Sequence, residues 1–274
     1  MEKFIKISKL ADLKKIKNPV KFLAGGTDIY PLLKDGFLEN EFFCDISGIK
    51  ELKETKIKKD VLEIGALVTF SDVIENPVFK KYANALYESA LVMGSPQIRN
   101  RATLGGNIAN ASPSGDSIPP LFVLKAKIKT NLRTVDIDRF FMGPKKTILK
   151  KNELITRIII PKEQKESYFM KVGPRKALAI SKVSVAMAFK MQKGVLKDVR
   201  VALGAVGPTV LRAKKTEDFL EGKHLSDRII KKAGEIVSSE AMPIDDFRSL
   251  AVYRRKVAGS ILEKILEGRL KWVR

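Results

Sequence analysis

Thr103-Leu104-Gly105-Gly106-Asn107-Ile108-Ala109-Asn110-Ala111-Ser112-Pro113-Ser114-Gly115-Asp116 is the stretch on which the reading of this chain turns. Two adjacent glycines are followed by small residues and hydroxyls, without a bulky polar side chain. That composition suits a backbone lying close against an extended anionic ligand and offering it N–H groups, as a pyrophosphate requires. The same residues also describe a structural glycine turn with an Asx or Ser/Thr turn behind it, and spacing alone leaves both readings open.

A second, independent segment of the same kind lies upstream: Phe22-Leu23-Ala24-Gly25-Gly26-Thr27-Asp28-Ile29-Tyr30-Pro31-Leu32-Leu33-Lys34. Here an apolar strand runs into a glycine pair, and a proline near the first turn of a helix follows. Amide donors at that helix start face whatever sits over the glycines. Together the two segments resemble the FAD-binding subunit, or middle domain, of the xanthine dehydrogenase family, which includes carbon monoxide dehydrogenase medium chains and related molybdenum hydroxylases. The resemblance continues through Arg175-Lys176-Ala177-Leu178-Ala179-Ile180-Ser181-Lys182-Val183-Ser184-Val185-Ala186. It extends on through the tail from Asp246-Phe247-Arg248-Ser249 to Tyr253-Arg254-Arg255-Lys256-Val257-Ala258.

The resemblance implies an α+β chain. A two-part FAD-binding domain of the vanillyl-alcohol oxidase type is expected over residues 1–165, with subdomains of about 1–55 and 56–165. A smaller α+β domain of the carbon monoxide dehydrogenase flavoprotein type, antiparallel sheet plus helices, follows over 166–274. It implies FAD held by the backbone of Ala24, Gly25, Gly26, Thr27, Asp28 and Ile29 and by Thr103, Leu104, Gly105, Gly106 and Asn107. Asp116 matches the acidic residue aimed at the adenosine ribose, where an ionised carboxylate accepts from hydroxyls. Ser112, Ile155 and Lys171 match further cofactor-lining positions, and Ile180 matches one beside the ring. Met93 falls where xanthine dehydrogenases place an aromatic, and a thioether also lies well against an aromatic ring. The implied partners are a molybdopterin-binding large subunit and a two-iron two-sulfur small subunit, in an assembly such as a dimer of heterotrimers. Electrons would pass from those clusters through FAD to an external acceptor. The residues around Gly143-Pro144 differ from those of NAD-reducing members, which leaves the acceptor open, and a stand-alone flavoprotein oxidoreductase on the same scaffold is the alternative.

Composition bounds these expectations. The 274 residues, 45% of them hydrophobic, are enough to bury a sizeable core. No apolar run approaches the roughly 18 residues of a membrane span and no apolar signal core follows the N-terminal charges, so a cytoplasmic protein is expected. Lys+Arg 52 against Asp+Glu 31 leaves a net charge of +21. The lysines are scattered at element edges without interleaved aromatics, a solvated surface rather than a nucleic-acid site, and one suited to docking an acidic partner. The single cysteine, Cys44, excludes an intrachain disulfide framework and any four-cysteine iron–sulfur or zinc site supplied by this chain. His224, the only histidine, lies in a turn-like Glu221-Gly222-Lys223-His224 run, so neither a serine triad nor a histidine metal site has its partners, and no acid–base catalyst is expected.

Along the chain, strands are expected at Phe4–Ile7, Val20–Ala24, Glu41–Ile46, Val61–Ala66 and Glu153–Pro161, with hairpins over Ala126–Asp138 and around Gly194. Ser8 is expected to cap a short helix. Val78, Phe79, Tyr82, Ala83, Leu86 and Ala90 line one helical stripe, and Leu250 to Leu266 form another that stops at Gly268. Lys162 to Glu166 reads as a polar linker.

Overall fold

The computed structural model describes residues 4–38, 41–163, 165–175, 178–246 and 249–273, with side chains as far as Arg269. Gln164, Lys176, Ala177, Phe247 and Arg248, from the expected linker and two of the stretches carrying the resemblance, lie outside the described residues.

The chain opens with β1 (Phe4–Lys6), β2 (Lys21–Leu23), α1 (Ile29–Lys34) and β3 (Phe43–Asp45). The strands form a parallel sheet in the order β1-β3-β2, so β2 must cross through α1 to reach β3. The 3-10 turn after β1 has Lys9, not Ser8, at its N-cap and no side-chain cap. Cys44 is fully buried in this unit, and burial, with a smaller push from Asp45, raises its thiol to about 11. Its packing partners include Leu67 and Leu154, so the core runs into the next unit.

That unit holds β4 (Thr55–Ile57), β5 (Val61–Gly65), α2 (Phe70–Glu75), α3 (Pro77–Tyr82), α4 (Asn84–Val92), α5 (Pro96–Arg99), α6 (Leu104–Asn110) and α7 (Ile118–Val123). It continues with β6 (Lys127–Thr130), β7 (Thr134–Asp136), β8 (Phe141–Gly143), β9 (Lys146–Thr147) and β10 (Ile155–Pro161). β10, last in sequence, is central in space, in an antiparallel sheet ordered β4-β5-β10-β6-β7. Thr69 closes a capping box with Asp72 and starts α2. The helical stripe after Asn76 is broken at Ala83, because α4 restarts against the second domain: Ala85 N–H donates to Ser167 Oγ at 3.0 Å and Asn84 Nδ2 to the Ser167 carbonyl at 2.8 Å.

The C-terminal part is β11 (Glu166–Val172), β12 (Val183–Gln192), β13 (Val195–Gly204), β14 (Leu211–Arg212), α8 (Lys214–Leu220), α9 (Asp227–Glu240) and α10 (Ala251–Val273). Its antiparallel sheet, ordered β11-β12-β13-β14, is covered on both faces. Side chains alternate along β12: Val183, Val185, Met187 and Phe189 pack under the helices, while Ala186 and Ala188 join the core of the first domain. Small residues on that inner face let α7, buried at every position, lie directly on the sheet. A Cβ on Gly204 would meet Pro119 Cγ at 2.8 Å. α10 runs through Gly268 instead of stopping there. A helical glycine costs only about 1 kcal/mol, and Arg269 continues the helix into an ion pair with Glu166 at 2.9 Å.

The expected linker is not a solvated tether. Lys165 Nζ stands 2.6 Å from Asp198 and 3.1 Å from Glu163, and Lys125 Nζ lies 2.9 Å from Asp198, binding β13 to the first domain. Burial acts to raise the Asp198 carboxyl, but hydrogen bonds and charge from Lys165 and Lys125 hold it down at about 2. A depressed carboxyl stabilises the fold above its unfolded-state value near 3.8, and that contribution is lost as pH falls towards about 2. Thermal unfolding followed from about pH 5 down to about pH 2 is therefore expected to show a shallower acid decline in Asp198→Asn than in the parent chain. Equal slopes would remove Asp198 from the acid transition.

Candidate functional site

The two glycine segments meet across the joint between the first two units. A Cβ on Gly25 would collide with the carbonyl of Arg101, so only glycine permits the contact. Gly26 has φ 77°, a left-handed turn that sends the chain into α1, and its carbonyl accepts from Tyr30 N–H at 2.9 Å. Farther along, Asn110 Nδ2 donates to Asp28 Oδ1 at 2.8 Å and joins the segments again.

Their backbones differ in what they leave free. Among the described residues no acceptor meets the N–H groups of Gly25, Gly26, Thr27, Asp28 or Ile29, which lie at the start of α1. The second segment is the first turn of α6 rather than an open loop, and its amides are used within the fold. Leu104 donates to Val68 and Gly105 to Ala66, each at 2.9 Å; Gly106 donates to Thr103 Oγ1 at 3.1 Å and Asn107 to the Thr103 carbonyl at 2.9 Å. Gly105 is required for close packing, since a Cβ there would lie 2.6 Å from the Ala66 carbonyl. One segment therefore presents donors, and the other shapes the wall opposite.

Between them opens a cleft of about 800 Å³, within the range of roughly 300 to 1,000 Å³ usual for ligand sites. Ala24 to Ile29, Met93, Thr103, Gly105, Gly106, Asn107, Ser112, Asp116, Ile155 and Ile180 all line it. Two expected residues do not. Leu104 turns into the core and is fully buried, as its apolar side chain on the inner face of α6 dictates. Lys171 stands behind Asp116. Met93 is fixed from below by Arg99, whose Nη1 donates to the carbonyls of Met93 and Gly94 at 3.0 and 3.1 Å, so Arg99 does not face the cleft as an anion-binding group. His224 is an exposed residue in the turn bridged to Val195.

Asp116 is a buried charge of the site, 7% exposed. Its Oδ2 lies 2.6 Å from Lys171 Nζ, and its Oδ1 accepts from Ser181 Oγ at 2.5 Å. Burial pushes its carboxyl above the usual range, while the Lys171 ammonium and the hydrogen bonds from Lys171 and Ser181 pull the other way. Glu153 at the cleft floor has the opposite balance. Burial raises it, but Arg133, the Lys150 N–H and Thr130 together hold it below the usual range.

Several lining residues escaped the sequence reading. Asn110 lies one helical turn beyond Asn107, a signal available only once α6 is recognised as a helix. Lys145, with φ 59° after Gly143-Pro144, donates from Nζ to Asn110 Oδ1 at 2.8 Å, and nothing local in the sequence points to that contact. Leu67, Leu154 and Glu153 reach the cleft only through the sheet.

The cleft sets the free amides of Gly25 to Ile29 beside apolar side chains, Met93, Ile155 and Ile180 among them. Comparison with known proteins gives the family. The family model described as "FAD binding domain in molybdopterin dehydrogenase" matches residues 3–163, and that described as "CO dehydrogenase flavoprotein C-terminal domain" matches 168–268. A glyceraldehyde dehydrogenase medium chain of Sulfolobus acidocaldarius is 33% identical over 239 residues, covering 86% of this chain and 85% of its own length. A putative xanthine dehydrogenase FAD-binding subunit of Escherichia coli is 30% identical over 258 residues, covering 91% and 88%. Among solved structures, carbon monoxide dehydrogenase from Hydrogenophaga pseudoflava superposes with a TM-score of 0.89 at 28% identity, covering 95% of this chain and 94% of that one.

Proposed function

The chain belongs to the family of FAD-binding domains in molybdopterin dehydrogenases, and on that premise we propose that it is the flavin subunit of a molybdenum hydroxylase complex. In this reading it takes electrons from iron–sulfur clusters on a small partner chain, fed by a molybdopterin-binding large chain, and passes them to an external acceptor. FAD supplies the redox chemistry, and the protein supplies binding, orientation and exclusion of water. The N–H groups of Gly25 to Ile29 face the diphosphate. The free lone pairs of Asp116 accept from the ribose hydroxyls, and Met93, Ile155 and Ile180 pack against the ring. Thr27 and Thr103 add hydroxyl donors, and Ser112, Gly105, Gly106 and Asn107 close the wall. The complex is read as cytoplasmic, as a dimer of heterotrimers, and as making no use of nucleic acid. No helix among the described residues is long and apolar enough to cross a membrane.

The observation that carries this reading is the row of five amides without acceptors, set opposite the second glycine segment. A chain purified and then supplied with FAD is expected to retain the visible flavin absorption through gel filtration, and to co-elute with the large and iron–sulfur chains when expressed with them. Absence of the flavin band after reconstitution overturns the cofactor. Full turnover by the chain alone overturns the subunit role.

A further inference from the structure

Lys171 and Ser181 belong to the C-terminal domain, yet both converge on Asp116 at the cleft wall. Lys171 leaves the end of β11 and Ser181 precedes β12, and they take one carboxylate oxygen each, at 2.6 and 2.5 Å. Neither lines the cleft. Ser181 is 2% exposed and the Lys171 side chain 9% exposed. Lys171 Nζ also donates to the carbonyl of Ala179 at 3.2 Å, and Ala179 and Ile180 do line the cleft. The return of the chain is tight here, since a Cβ on Gly173 would lie 2.6 Å from the Ala179 side chain.

We propose that Lys171 and Ser181 are positioning residues that act through Asp116. They orient its carboxylate towards the bound ribose, and in the same contact they pin Leu178 to Ile180 over the cleft mouth. The inference deepens the flavin-subunit reading and rests on it. Lys171 is thereby reassigned from a cofactor-lining residue to a latch held one layer behind the ligand. A carboxylate this deeply buried loses its charge without a cation beside it, and a protonated acid accepts from fewer hydroxyls. Because ligand and latch share one carboxylate, each stabilises the other, and the coupling is reciprocal. Binding of the dinucleotide therefore slows opening of the 178–181 segment, and loosening that segment weakens binding.

The test is FAD affinity of the full chain, read by flavin fluorescence across about pH 5 to 8, with hydrogen exchange across residues 178–182. Lys171→Met is expected to weaken FAD on the order of 100-fold near pH 6, recovering part of the loss as pH rises and Asp116 ionises. Ser181→Ala is expected to weaken it several-fold. In both variants FAD no longer slows exchange at 178–182. Lys171→Arg is expected to restore most of the affinity. Should Lys171→Met not fold, Ser181→Ala carries the test alone. A loss of equal size at every pH, with exchange protection intact, would mean direct contact with the cofactor and overturns the latch; so does wild-type affinity in Lys171→Met and Ser181→Ala. If the parent chain takes up no FAD, the flavin reading falls and the latch falls with it. If the parent binds and the variants match it, only the latch falls.

Discussion

Gly25→Ala is expected to bind FAD at least about 100-fold more weakly than the parent chain, the largest effect of any single methyl group in the site. The added Cβ would overlap the carbonyl of Arg101, a backbone atom that no rotamer change can move. Relief requires the two glycine segments to separate, which withdraws the amides of Gly25 to Ile29 from the wall that faces them. Overpacking of this kind costs about 1–3 kcal/mol in the fold as well, so a lowered melting temperature is expected beside the lost affinity. Gly106→Ala is the matched control. Its Cβ would meet only Thr103 Oγ1 at 2.8 Å, a hydroxyl that can rotate away at the cost of a helix cap, about 1 kcal/mol. Titration of both variants with FAD separates the cases. Equal affinities would show that the segments need not touch for the site to form.

Glu217→Ala is expected to be the most destabilising change remote from the cleft. The Glu217 side chain is 7% exposed, and its Oε1 and Oε2 accept from Arg212 at 2.6 and 2.7 Å, with the Val201 N–H donating to Oε1 at 2.8 Å. Removing the carboxylate leaves the Arg212 guanidinium, itself 10% exposed, without its main partner, and an orphaned amide on β13. Breaking a buried pair from one side costs about 3–5 kcal/mol, which at this chain length lowers the melting temperature by roughly 10 °C. Scanning calorimetry measures the shift. FAD affinity at temperatures where the variant stays folded is expected to be unchanged, because α8 and β14 stand apart from the cleft. A shift of less than about 3 °C would mean that solvent already compensates Arg212.

Much of this could be read before any coordinates. The glycine pairs at 25–26 and 105–106 mark the cleft they line, because close backbone approach has few sequence solutions. Strand alternation and helical periodicity located the hairpin at Gly194 and the stripe of α10, because periodicity is a local property of the chain. Errors arose where local rules met long-range contacts. Gly268 did not stop α10, since a helix with tertiary partners tolerates a glycine. Ala83 broke a stripe that looked continuous, because Ser167, far along the chain, accepts from the Ala85 amide and the Asn84 side chain at the start of α4. Lys162 to Glu166 looked solvated from composition, yet Lys165 is buried against Asp198.

The sequence by itself determined the family and the two glycine segments, because each is written in neighbouring residues. Only the tertiary structure decided which amides remain free. Hydrogen bonding saturates, and whether an N–H faces a ligand or a carbonyl depends on what the rest of the chain brings within about 3 Å. Val68, Ala66 and Thr103 occupy the donors of the second segment, and among the described residues no acceptor meets those of the first. For the same reason Lys171, which matched a cofactor contact by position, stands behind Asp116 in space.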